Sequence, residues 1–91
     1  MSPLPRTQII AIAESYGARN IRIFGSAARG EDRPDSDLDL LIDLEQGRSL
    51  LDLIGIKQDL EQLLGRKVDV VTENGLNRYI RKDILSEAVS L

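Results

Sequence analysis

The segment Asp37-Leu38-Asp39-Leu40-Leu41-Ile42-Asp43-Leu44 constrains the chain more than any other. A near-continuous apolar run punctuated by acids fits a strand in the middle of a sheet, with both faces covered. Such a strand needs a neighbour on each edge and helices against its faces. A chain of 91 residues can build one modest core around it, but cannot also enclose a large substrate. One domain spanning 1–91 is therefore expected, an α/β (α+β) fold with a small mixed β-sheet and helices packed on it.

The remaining pattern supplies the neighbours. Ile9, Ile10, Ala13 and Tyr16 recur at helical spacings between a candidate Thr7 cap and Gly17, which predicts a short amphipathic helix over 7–16. From Asn20, Ile21 and Ile23 alternate with Arg22 and lead into Phe24-Gly25-Ser26, a strand closing in a tight turn. Residues 27–30 read as one helical turn. Ser49, with Asp52 three residues on, resembles a capping box opening a helix whose core face is Leu53, Ile56, Leu60 and Leu63. Gly65 closes that helix, and Gly55 inside it weakens the pattern. Residues 67–73 form a third strand-like run around Asp69, and Asn74-Gly75 signals a turn. The tail from Leu76 reads as a final amphipathic helix, with Ile80, Ile84 and Ala88 on a stripe joined by Leu85 and Val89.

Composition removes whole classes of chemistry. The chain has no Cys and no His, so disulfides, thiolate metal sites, cysteine nucleophiles and imidazole bases are excluded. Carboxylate, hydroxyl and cation chemistry remain. Twelve basic against fifteen acidic residues argue against gripping nucleic acid through its phosphates, and three aromatics offer no platform for stacking bases. No apolar run approaches the roughly 18 residues of a membrane span and no leader pattern opens the chain, so it is expected in the cytoplasm and off the membrane.

The acids are gathered rather than spread, with seven acids and one base, Arg33, between residues 30 and 46. Asp37 and Asp39 are two apart, so in a strand both carboxylates project from the same side. Side by side they repel, and a hard cation between them favours both anions. Mg²⁺ usually takes one or two carboxylates together with substrate phosphates. If the strand of Asp69 adjoins that of Asp39, a three-carboxylate, two-metal site for phosphoryl transfer results. Gly25-Ser26 offers the complement, since glycine allows close backbone approach and the following amides can face a phosphate.

Blander readings stand beside these. Asp35, Asp37 and Asp39 match positions one, three and five of an EF-hand loop, but Leu40 and Gln46 occupy the positions of its glycine and final glutamate, which rejects a calcium loop. Asp43 and Glu45 are expected to be solvated strand-end charges. Arg29 either contacts phosphate or pairs with Glu31 or Asp32. Arg78, Arg81 and Lys82 on the last helix could face a partner.

Gly25-Ser26, ten intervening residues and then Asp37-Leu38-Asp39, with Arg29-Gly30 after the turn, Ser36 before the first aspartate and the later Asp69, form a recognisable set. It resembles the signature of the DNA polymerase beta-like nucleotidyltransferase superfamily, in particular its minimal nucleotidyltransferase branch. The resemblance implies that Gly25 and Ser26 hold the phosphates of a nucleoside triphosphate and that Asp37 and Asp39 bind two Mg²⁺ ions. It implies that Asp69 helps bind metal and activates the acceptor hydroxyl. The implied reaction moves a nucleoside monophosphate, AMP from ATP, to a hydroxyl of a partner protein. By the same resemblance that partner is a HEPN-domain ribonuclease toxin, the acceptor is one of its tyrosines, and the chain is its antitoxin. Two alternatives stay open: neutralisation of the toxin by binding alone, and transfer to a small molecule or nucleic acid with a helper domain in trans.

Overall fold

The structure, a computed structural model, describes residues 4–31, 33 and 35–91. Asp32, offered above as a partner for Arg29, lies outside the described residues. In order the elements are α1 (Arg6–Ser15), β1 (Ala18–Phe24), β2 (Leu38–Leu44), α2 (Leu50–Leu64), β3 (Val68–Thr72), a 3₁₀ turn (Glu73–Gly75), α3 (Arg78–Glu87) and β4 (Val89–Ser90). The strands form one sheet in the order β3-β2-β1-β4, parallel between β2 and β3 and antiparallel elsewhere. The mixed sheet expected from the sequence is present, and β2 is an interior strand with a neighbour on each edge.

Parallel strands need a long crossover, and α2 supplies it between β2 and β3. Ser49 caps α2 as expected: its side chain accepts from the Leu51 N–H at 3.3 Å, while Asp52 Oδ2 accepts from the Ser49 N–H at 2.9 Å. Gly65 ends the helix in the left-handed conformation, at φ 66°. Gly55 has a reason to interrupt α2: a Cβ there would stand 2.4 Å from Cε1 of the Tyr16 ring, so glycine lets α1 and α2 close on each other.

Ile9 and Ala13 of α1, Ile21 and Ile23 of β1, Leu38, Leu40 and Ile42 of β2, Ile56 and Leu60 of α2 and Val68 of β3 meet in one buried cluster. With period two along β2, Leu38, Leu40 and Ile42 face this helical layer, and Asp39, Leu41 and Asp43 turn to the other side. The site therefore lies on the face of the sheet opposite α1 and α2. Among the described residues no helix is long and apolar enough to cross a membrane.

Several local expectations are corrected. Thr7 lies inside α1, which begins after Pro5 with no side-chain cap. Residues 25–30 form a succession of turns rather than a helical turn. Leu63 is 38% exposed, because the stripe runs Ile56, Leu60, Leu64 at four-residue steps and Leu64 takes the place against the core. In the tail the helix stops at Glu87; Ala88 is extended and Val89 enters β4, so neither belongs to the helical stripe. No residue of α3 is buried. The free edge of β1 competes for the end of the chain and pairs Ile23 with Val89 and Arg22 with Ser90.

Candidate active site

β2 and β3 run in parallel register, with Asp39 opposite Asp69 and Leu38 opposite Val68. Paired residues of neighbouring strands point to the same face, so the adjacency that the sequence could only suppose is realised. Asp37 immediately precedes β2 and Asp39 is its second residue. Burial, followed by the charges of Asp69 and Asp37, pushes the Asp39 carboxyl above its ordinary value of 3.8; a hydrogen bond with Asp69 and the charge of Glu87 act in the same direction. Among the described residues none of Asp37, Asp39 and Asp69 enters a salt bridge.

The antiparallel neighbour brings the Gly-Ser turn to the same place, since Phe24 pairs with Asp39 across β1 and β2. Gly25 follows at φ 72°, and a Cβ there would stand 2.4 Å from Asp39 Oδ2. Glycine is required both for the left-handed conformation and for the approach of the carboxylate. Beyond it, Arg29 N–H donates to the Gly25 carbonyl at 3.2 Å and Glu31 N–H to the Ser26 carbonyl at 2.8 Å, which folds the turn back on itself.

Side chains that sequence reasoning passed over hold the carboxylates in place. Glu61 Oε2 accepts from Val68 N–H at 3.0 Å while Lys57 Nζ donates to the Val68 carbonyl at 3.0 Å. The two are paired with each other at 2.6 Å, which holds the Glu61 carboxyl below its usual range. This i,i+4 pair on α2 thus grips both peptide groups flanking the residue before Asp69. Arg66 donates from Nε to the Ser36 carbonyl at 2.9 Å and from Nη2 to Ser36 Oγ at 3.1 Å, fixing the residue before Asp37. The i,i+4 spacing of Lys57 and Glu61 was a visible signal of pairing, but their grip on β3 follows from a turn geometry that no spacing encodes.

Arg29 pairs with Glu31 at 3.3 Å and with Glu87 at 3.2 Å, the pairing alternative of the two left open. Asp43 and Glu45 are not simply solvated: Asp43 accepts from Arg22 and Asn20, each at 3.2 Å, and Glu45 from Arg19 at 3.1 Å. Arg81 lies 3.8 Å from Glu73, and Arg78 rests 5.9 Å from the ring centroid of Tyr79.

Carboxylates at the ends of adjoining strands beside a glycine turn are a donor set suited to a hard divalent cation and a phosphate. Among the described residues no three carboxylates are already drawn round one point. Water and substrate phosphates would therefore supply much of the coordination, as Mg²⁺ prefers.

The pattern of nucleotidyltransferase domains matches residues 7–91. The chain belongs to the nucleotidyltransferase domain family. Among relatives of this nucleotidyltransferase is the protein adenylyltransferase MntA of Thermococcus cleftensis, 45% identical over 78 residues, which cover 86% of this chain and 79% of that one. A solved protein provisionally named a minimal nucleotidyltransferase is 49% identical and superposes with a TM-score of 0.85, over 94% of this chain and 88% of the other. A toxin–antitoxin complex crystallised with AMP-PNP matches at a TM-score of 0.83 over 96% of this chain and 72% of that one; at 19% identity it shows that the fold is shared.

Proposed function

We propose that this nucleotidyltransferase transfers AMP from ATP, with Mg²⁺, to a hydroxyl of a partner protein, and that the partner is a toxin of the HEPN class modified on a tyrosine. The observation that carries the reading is the register of Asp39 with Asp69 beside Asp37, facing the turn at Gly25. The relatives named for protein adenylylation and the toxin–antitoxin complexes of like fold, including MntA–HpeT, support the choice of nucleotide and partner.

In this reading the Gly25-Ser26 turn holds the phosphates: Gly25 allows their close approach, and the Ser26 hydroxyl and the amides after Gly25 are the donors. Asp37, Asp39 and Asp69 would hold the cation. When bound, it neutralises the carboxylates and withdraws charge from the phosphates during in-line displacement. Asp69, exposed at the rim, takes the proton of the attacking hydroxyl. The acceptor oxygen bonds to the α-phosphorus as the bond from that phosphorus to the bridging oxygen breaks, and pyrophosphate leaves with the electron pair. Lys57, Glu61 and Arg66 orient the carboxylates without touching substrate.

The test uses ATP labelled at the α-phosphate, Mg²⁺ and a HEPN-type toxin. Label is expected on the toxin with the wild-type chain and not with Asp37→Asn. An unlabelled toxin after incubation with the wild type sinks the reading. Neutralisation by binding alone has one observation in its favour, the outward apolar side chains of α2 and α3: Leu50, Leu51, Tyr79 and Ile80 are 69%, 77%, 81% and 50% exposed. An Asp37→Asn, Asp39→Asn chain that still rescues toxin-expressing cells would favour it.

A further inference from the structure

Glu87 is the last residue of α3 and stands far from the signature in sequence, yet its carboxylate reaches the Gly-Ser turn. Its Oε1 accepts a short hydrogen bond from the Gly25 N–H, and Nη1 of Arg29 donates to the same oxygen at 3.2 Å. The chain on either side fixes this reach. Immediately after Glu87, β4 pairs Val89 with Ile23, and Leu91 N–H donates to the Ile21 carbonyl at 3.0 Å. The end of α3 is thereby laced to β1 just before the turn begins.

The donors on the turn divide in two. Gly25 N–H is taken by Glu87. Among the described residues, the backbone N–H groups of Ser26, Ala27 and Ala28 donate to no other backbone group or side chain. Three successive amides left open beside the carboxylates are the arrangement that meets an anion. The Gly25 and Ser26 carbonyls are held from within the turn by Arg29 and Glu31 N–H, and Glu87 fixes the peptide that enters it, on the N–H side of Gly25.

We propose that Glu87 is a positioning residue of the nucleotide site: by accepting from Gly25 N–H and holding Arg29, it sets the turn so that the amides of Ser26, Ala27 and Ala28 meet the phosphates of the nucleoside triphosphate. The inference rests on the nucleotide reading above and assigns a part of the machinery to the C-terminal helix, outside the signature. The proximity of Glu87 to the carboxylates is consistent, since its charge contributes to the raised affinity of Asp39 for a proton. A carboxylate on a turn amide could instead stand in for a phosphate and keep the nucleotide out. The two roles predict opposite signs.

The experiment measures Mg·ATP binding and steady-state transfer for wild type, Glu87→Ala and Glu87→Gln, with the Gly25 amide resonance followed in the absence of nucleotide. Loss of a charge-assisted hydrogen bond predicts about a tenfold rise in KM for ATP in Glu87→Ala, with kcat within about threefold of wild type. Glu87→Gln keeps an acceptor for Gly25 N–H and is expected to recover KM to within about threefold. The Gly25 amide moves upfield in Glu87→Ala and much less in Glu87→Gln. A merely structural glutamate would lower thermal stability without this split or this rescue. Unchanged binding by Glu87→Ala, tighter binding, or a glutamine variant as poor as alanine overturns the proposal. If the alanine chain does not fold, Glu87→Asp, one methylene too short to reach, carries the same expectation. A wild-type chain that binds no ATP strikes the nucleotide reading itself, whereas a wild type that binds and an alanine variant that binds equally well strikes only the role of Glu87.

Discussion

The two ends of β2 carry the same kind of side chain and treat it differently. On one face of the strand Asp39 and Asp43 follow each other at a four-residue interval. At the far end Asp43 is met by Arg22 at 3.2 Å, Glu45 by Arg19 at 3.1 Å, and Glu73 lies 3.8 Å from both Arg22 and Arg81. At the near end Asp39 lies opposite Asp69 and feels the charges of both Asp69 and Asp37, while Lys57, whose charge they also feel, is committed to Glu61 and the Val68 carbonyl. Paired acids hold a strand end in shape; uncompensated ones store repulsion that a bound cation relieves. In the function proposed above, that difference separates scaffold from chemistry on a single strand.

The largest effect should break that comparison if it is wrong. Asp39→Asn is expected to reduce nucleotidyl transfer about a thousandfold, the scale of losing a group that stabilises charge in the transition state. Asp43→Asn, the matched change four residues away, should leave transfer within about twofold and cost about 1 kcal/mol in a denaturant titration, since the largely buried Arg22 keeps Glu73 and the Asn20 carbonyl as partners. Equal losses from both would mean that the two ends do not differ in role.

A smaller effect tests how tightly turn and strand are fitted. Gly25→Ala puts a methyl group at the Asp39 carboxylate and a side chain at φ 72°. The strain should cost on the order of 1 kcal/mol of stability. Displacing the carboxylate by roughly an ångström should reduce transfer about a hundredfold. Gly30→Ala is the control: it shares a positive φ of 75°, but a Cβ there meets nothing within 4 Å, so it should lose stability while keeping most activity.

How far the sequence reached follows from what each feature depends on. β2 and the Ser49 cap were legible because they rest on period and cap chemistry. The approach of Asp69 to Asp39 was conditional on strand order: the crossover through α2 sets β3 beside β2, which spacing alone does not state. Leu63 was misplaced because three- and four-residue steps both fit a helical stripe until the neighbour is known. β4 went unseen because two residues of extended chain leave no periodicity, and the helix pattern of the tail ran through them. Glu87 was hidden for the same reason: its role depends on where β4 docks the end of α3.

The smallest effect sharpens the comparison through pH. The folded chain holds the Asp39 proton more tightly than the unfolded chain does, because burial and the neighbouring carboxylates oppose ionisation. With more protons bound in the folded state, stability falls as pH rises from the ordinary aspartate value of 3.8 toward the raised one, and the deficit persists above it. Asp39→Asn removes the titrating group. The melting temperature of wild type relative to Asp39→Asn should therefore drop across that window and stay lower at neutral pH, by less than the cost of Gly25→Ala because Asp39 is only half-buried and partly screened. Added Mg²⁺ should close the gap for wild type, and the Asp43→Asn chain, whose near end is intact, should respond to Mg²⁺ as wild type does. A melting difference that is flat in pH, or that Mg²⁺ leaves untouched, would mean that the repulsion at the near end is already relieved by the fold, leaving a cation little there to stabilise.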